Sequence, residues 1–207
     1  ASPDDYQIAK ETFGKLKFPV HFIPGNHDKS AWVQQVMLGR AGAELTPHTD
    51  YEFEHNGVQF IMLDSHRPEE EEGAHGHLSD AQVIWLDALC SADDRRPLVV
   101  GVHHHTLPLE APWLDQIGFS NGIALHNTLL KAKDRLRGVF YGHIHESTVT
   151  VRDGIAYYSA QSGWFQTRTY HDADEPLRDP VPEPGFNLVT LTERDTFVRF
   201  IRTPLSK

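Results

Sequence analysis

Cysteine is almost absent: Cys90 stands alone in 207 residues, so neither an intrachain disulfide nor a thiolate metal cage can form. Basic residues are also sparse. Nineteen Lys and Arg against 29 Asp and Glu leave a formal charge of −10. No Lys/Arg cluster rises from that background, so a nucleic-acid-coating surface is not expected. Apolar runs stay far below the roughly 18 residues that cross a bilayer, and the opening residues do not read as a signal peptide. Histidine is what the chain has in excess, with fourteen residues. Any transition metal here must therefore be held by imidazole and oxygen ligands, a donor set suited to hydrolytic metals. With 39% hydrophobic residues, a chain of this length buries roughly 70% of its unfolded surface and has a real core. One domain over residues 1–207 is expected.

Ser2, Pro3 and Asp5 form a helix start, with a cap, a proline at the first helical position and a capping-box partner. Tyr6, Ala9, Phe13 and Leu16 then recur at helical spacing, which predicts a helix to about Lys17. Val20 to Ile23 reads as a strand that delivers the chain into Pro24-Gly25-Asn26-His27-Asp28. A helix follows from Ser30 to about Leu38. Asn56-Gly57 between Tyr51–His55 and Val58–Leu63 marks a hairpin. The stretch from Asp64 to His77, with Glu69 to Glu72, reads as a solvated loop. Ser79 and Gln82 cap another helix running to about Ala92.

Leu98 to Val102 is a continuous apolar run, as in a strand buried on both faces, and it ends in His103-His104-His105. A helix near Ala124–Arg135 precedes the strand Val139–Tyr141, which ends in Gly142-His143-Ile144-His145. A hairpin about Asp153-Gly154 and a final pair, Phe186–Leu191 with Thr196–Ile201, complete the elements. Between them the Pro-rich tract from His171 to Gly185 reads as a surface loop, with a lid or a homodimer contact as alternatives. Strands alternating with helices and followed by hairpins indicate an α/β fold with a mixed sheet or two packed sheets.

The polar clusters fall at the C-terminal ends of predicted strands, where α/β sheets build their sites. In Gly25-Asn26-His27-Asp28 the glycine permits a tight turn and Asn26 offers a neutral oxygen to a metal. His27 can donate a proton, with Asp28 to fix its tautomer. Three adjacent imidazoles at 103–105 cannot all face one way in an extended segment, so only some of them can be ligands. His143 and His145, one residue apart, can aim at two neighbouring points such as two metal ions.

In this order and position the clusters resemble the calcineurin-like metallophosphoesterase family. The segment His103–Gln116, Leu63-Asp64-Ser65 and the helix with Trp85-Leu86 resemble its cyclic nucleotide phosphodiesterase branch. The resemblance covers most of the chain to about residue 165. It implies a two-sheet sandwich flanked by helices (α/β/β/α) and two divalent ions, Mn, Fe or Zn. It further implies that Asn26, His103 and His143 hold one ion and His145 the other. His103 is favoured over His104 by the register of Pro108, with a one-residue ambiguity left open. His27, oriented by Asp28, would stabilise the reacting phosphate or protonate the leaving oxygen. The implied activity is hydrolysis of a small phosphoester, foremost a 3',5'-cyclic nucleotide, by attack of a metal-bridging hydroxide on phosphorus.

The family's earlier Asp-x-His and Gly-Asp motifs do not occur ahead of Gly25. The domain is accordingly expected to lack its first strands, and with them three metal ligands. A phosphoesterase for a phospholipid-derived diester or a monoester is one alternative, and a catalytically incomplete fragment that binds or regulates is another. Neither a membrane nor a nucleic acid is expected as partner, and the expected location is cytoplasmic. Trp113 and Trp164 lie near site loops, where they could meet a substrate base.

Overall fold

The computed structural model describes residues 2–66, 74–172, 174–180 and 183–203. Helix α1 (Pro3–Phe13) begins as its sequence dictates: Ser2 Oγ accepts from Asp5 N, and Asp5 Oδ2 accepts from Ser2 N at 2.6 Å. It ends at Phe13 rather than near Lys17. Tyr6 is buried, but Phe13 and Leu16 remain exposed, so packing does not carry the helix a further turn.

The expected strand Val20–Ile23 is not one. The segment joins no ladder among the described residues and is held by side chains instead. Tyr51 Oη donates to Phe22 O at 2.8 Å, and the His21 ring stacks on Phe53 with centroids 3.5 Å apart. A strand needs a neighbour at its edge to receive its backbone groups, whereas this segment lies against the side chains of another. Beyond the turn, α2 (Ser30–Trp32) runs on into a π-turn at Val33–Met37.

Strands β1 (Tyr51–His55) and β2 (Val58–Leu63) pair antiparallel. Their turn residues Asn56 and Gly57 have φ of 50° and 77°, the doubly left-handed geometry that matches strand twist. After α3 (Asp80–Ser91) with its capping box come β3 (Leu98–Val102), the short α4 (Pro112–Asp115), α5 (Gly122–Leu129) and β4 (Leu136–Tyr141). Hairpin β5 (Val149–Arg152) and β6 (Ile155–Ser159) turns at Asp153-Gly154, again with positive φ. Two short strands, β7 (Thr167–Arg168) and β8 (Leu177–Arg178), pair with each other, and the second lies within the tract from His171 to Gly185 that was expected to be irregular. The antiparallel pair β9 (Gly185–Leu191) and β10 (Thr196–Arg202) ends the described chain.

The main sheet has the order β1-β2-β3-β4-β6-β5. Its four inner strands are mutually parallel and its two edge strands antiparallel. The C-terminal ends of β2, β3, β4 and β6 therefore share one edge. Alternate residues go to opposite faces. Ile61, Leu63, Val100, Val139 and Tyr157 face Leu86 and Cys90 of α3 and Leu125 and Leu129 of α5, forming the core. Phe60, Met62, Gly101 and Phe140 face the other way and line a cleft of about 550 Å³ to which Val189 and Leu191 of β9 contribute. The mixed α/β architecture expected from the sequence is present, with helices on one face and the β9–β10 pair over the other. No helix among the described residues is long and apolar enough to cross a membrane.

The loop after β2 departs from the solvated reading at its start; Glu69 to Glu72 lie outside the described residues. Asp64 and Ser65 are fully buried. The Asp64 side chain accepts from Ser30 Oγ at 2.6 Å, Thr49 N at 2.8 Å and His66 N at 2.9 Å, which satisfies its buried oxygens by hydrogen bonding.

Candidate metal centre

The sheet edge that carries the ends of β3 and β4 gathers the polar clusters. Asn26 Oδ1 lies 2.9 Å from His103 Nε2 and 3.3 Å from His143 Nδ1, and the two imidazole nitrogens are 3.3 Å apart. The other nitrogen of His143, Nε2, is 3.0 Å from Ile117 O. A carbonyl oxygen only accepts, so Nε2 carries the proton and Nδ1 presents a bare lone pair. Burial foremost, and neighbouring imidazoles after it, push both rings down to a pKa of about 3, so each is neutral.

Three electron-rich atoms thus converge with at most one proton to share. Around an ion with bonds of about 2.1 Å, tetrahedral or octahedral donors stand roughly 3.0 to 3.4 Å apart. The observed triangle fits a divalent ion.

Two residues of the turn after β4 have left-handed backbone. His143 and His145 have φ of 64° and 53°, a left-handed region that non-glycine residues enter at a cost of about 1–3 kcal/mol each. Strict strand alternation therefore does not describe the Gly-His-Ile-His turn. At the facing turn, a Cβ on Gly25 would stand 2.7 Å from His103 Cε1, so glycine is what lets that backbone close on the ring.

The remaining histidines at the end of β3 do not split between two sides as extended chain would require. The backbone leaves the strand after Val102, and all three rings collect around His143, with centroid separations of 5.1, 4.6 and 5.8 Å for His103, His104 and His105. His104 is fully buried, with Nδ1 2.7 Å from Ser65 Oγ and Nε2 unpartnered. His103, His104 and His143 form a group whose nitrogens lie within 4.8 Å of one another. Asn26 approaches His103, which makes His103 the member of the pair that joins the triangle.

His145 stands apart from that triangle, its ring edge against Phe165 at 4.3 Å and its buried Nδ1 unpartnered. His27 is exposed, near enough for its charge to depress His103, His143 and His145. Asp28, expected to orient His27, has other partners for both of its oxygens. Asp28 Oδ2 accepts from Gly25 N at 2.8 Å and Oδ1 from Tyr6 Oη at 2.8 Å, while Tyr6 Oη accepts from Lys29 N. Both carboxylate oxygens thus brace the turn and tie it to α1. Sequence reading missed Tyr6, whose role depends on a contact 22 residues away. Replacing Tyr6 by Phe should lower stability by about 1–3 kcal/mol, the cost of orphaning part-buried partners; an unchanged urea midpoint would count against this bracing role.

The chain matches the family model of calcineurin-like phosphoesterases over residues 2–147. It belongs to that family. Calcineurin-like phosphoesterases use divalent metals, in keeping with the donor triangle. Among its relatives is the glycerophosphodiester phosphodiesterase GpdQ of Enterobacter lignolyticus, 28% identical over 87% of this chain and 64% of that protein. The 3',5'-cyclic adenosine monophosphate phosphodiesterase CpdA of Pseudomonas aeruginosa is 31% identical over 70% of this chain and 50% of its own length. The phosphoesterase chain thus spans about half to two thirds of these relatives. In fold it is similar to GAP50 of Plasmodium, with a TM-score of 0.50 and 15% identity over 77% of this chain and 52% of that one.

The neutral histidines set a pH dependence for the metal-free phosphoesterase chain. Unfolded histidine titrates near 6.5, whereas His103 and His143 titrate at about 3 and His105 at about 4 when folded, chiefly through burial. Between these values the unfolded chain binds more protons, so stability falls as pH drops below about 6.5 and the loss is complete near pH 3. The metal-free urea midpoint should be clearly lower at pH 5 than at pH 7.5. A flat profile would mean that these imidazoles are solvated.

Proposed function

We propose that this chain carries the metal-binding part of a phosphoester hydrolase, most specifically a phosphodiesterase for 3',5'-cyclic nucleotides. The convergence of Asn26 Oδ1, His103 Nε2 and His143 Nδ1 at one sheet edge supports the reading above all. These three residues would hold one divalent ion, Mn, Fe or Zn, and His145 would contribute to a second. When bound, such ions polarise phosphoryl oxygens and lower the pKa of coordinated water.

The chain's own groups do the rest. His143 is held in one tautomer by Ile117 O, and Gly25 keeps the His103 ring in place. Exposed His27, beside the cluster, is assigned to stabilising the phosphate or protonating the leaving oxygen. An acidic chain can take an anionic substrate this way because the bound ions dominate the local field. A cytoplasmic setting and a small phosphoester as partner belong to the same reading.

The cyclic-nucleotide assignment draws on the CpdA relative, and the GpdQ relative favours a glycerophosphodiester. The test is to titrate Mn²⁺ or Zn²⁺ into the protein and assay bis(p-nitrophenyl) phosphate, cyclic AMP and glycerophosphocholine. Metal-dependent turnover with cyclic AMP fastest is expected. Glycerophosphocholine fastest would shift the substrate class. Metal bound without turnover of any ester would favour a binding or regulatory role.

A further inference from the structure

Trp164 is 78% exposed, the most exposed large apolar side chain among the described residues. A loose loop tip would explain that, but the turn is tightly built. Buried Gln166 reaches back so that its Oε1 accepts from Ser162 N at 3.0 Å and its Nε2 donates to Ser162 O at 2.7 Å. Ser162 Oγ in turn accepts from Trp164 N at 3.0 Å. The turn is fastened below by Phe165, whose ring meets His145 at 4.3 Å and lies under the Arg178 guanidinium at 4.6 Å. Trp164 meets that same Phe165 ring edge-on at 5.0 Å. A buried amide, a hydroxyl and a cation–π contact therefore hold an indole in water, two ring contacts from a histidine of the candidate metal centre. Burying such a ring is ordinarily favourable, so a fixed turn that keeps it out leaves the indole available to a ligand's planar group.

We propose that Trp164 is a specificity-determining residue of this site, a stacking platform for the aromatic base of a nucleotide-type phosphoester whose phosphate sits at the His103–His143 centre, on the side of His145. The proposal rests on the phosphoesterase reading and sharpens it. Phe165 sets the position of the platform, and Arg178 adds a positive charge beside it that suits an anionic ligand. An aliphatic phosphoester has the same phosphate but nothing to stack.

The test compares wild type with Trp164→Ala and Trp164→Phe, measuring binding of AMP and of glycerol 3-phosphate by calorimetry in saturating Mn²⁺. Hydrolysis of bis(p-nitrophenyl) phosphate is followed in parallel. Trp164→Ala should weaken AMP by about 5- to 150-fold, the range of base–aromatic stacking, and leave glycerol 3-phosphate within about twofold. Trp164→Phe should recover most of the AMP affinity, a rescue that a merely structural role in the turn would not give selectively. Equal losses for both ligands, no loss for AMP, or no AMP binding to wild type would overturn the platform. Trp164-dependent AMP binding without any diester hydrolysis would overturn the hydrolase reading and leave the platform standing.

Discussion

Replacing His143 by Ala should lower divalent-metal affinity by more than about 100-fold, beyond the 10- to 100-fold typical of residues that only orient a ligand. The metal-dependent phosphoester hydrolysis proposed for the chain should fall to background with it. The effect is large because His143 is the hub of the cluster: its Nδ1 faces Asn26 and His103, its Nε2 is held by Ile117 O, and the rings of His104 and His105 pack around it. The fold itself should survive, since the ring removed is a desolvated polar group rather than part of the apolar core. Backbone strain supplies a control. At φ 64° alanine keeps the left-handed penalty and glycine does not, so His143→Gly should be about 1 kcal/mol more stable than His143→Ala. Both should be equally poor at binding metal. Retained metal affinity in either variant would remove His143 from the centre.

Gly25→Ala should act on the same centre without touching a ligand. The added methyl would stand 2.7 Å from His103 Cε1 and 2.9 Å from its two nitrogens, so the ring must swing away from Asn26. Metal affinity should drop roughly 10- to 100-fold, as for other changes that misorient a ligand, while the thermal midpoint moves little. Gly163→Ala, where nothing lies within 4 Å, should change neither quantity. If Gly25→Ala instead unfolds the protein and spares the metal affinity of what remains folded, Gly25 does not set the position of the His103 ring.

Local rules reached far into this fold. Both hairpin turns, the two capping boxes and the strand Leu98–Val102 form where composition and periodicity place them, because each depends on residues adjacent in sequence. What was not legible depends on distant partners. Val20–Ile23 has a strand's composition, yet lies against Tyr51 and Phe53. The π-turn after Trp32 has no compositional mark. At the site, the placement of histidines at the ends of β3 and β4 was readable from the apolar runs before them. The collapse of three successive imidazoles onto His143 was not, because it follows from the chain leaving extended geometry after Val102. The expected pairing of Asp28 with His27 rested on adjacency and overlooked Tyr6, twenty-two residues upstream, as the competing donor. Trp164 could be suspected from its place near the motifs, but its exposure and the Gln166 clamp are tertiary facts.

The most direct test of the account is to identify which histidine nitrogens meet the ion, by long-range proton–nitrogen NMR on isotope-labelled protein with and without Zn²⁺. The account predicts that Nδ1 of His143 and Nε2 of His103 shift to metal-bound values while Nε2 of His143 keeps its proton toward Ile117 O. Binding that leaves both of those nitrogens unshifted, or that engages Nε2 of His143, would contradict it.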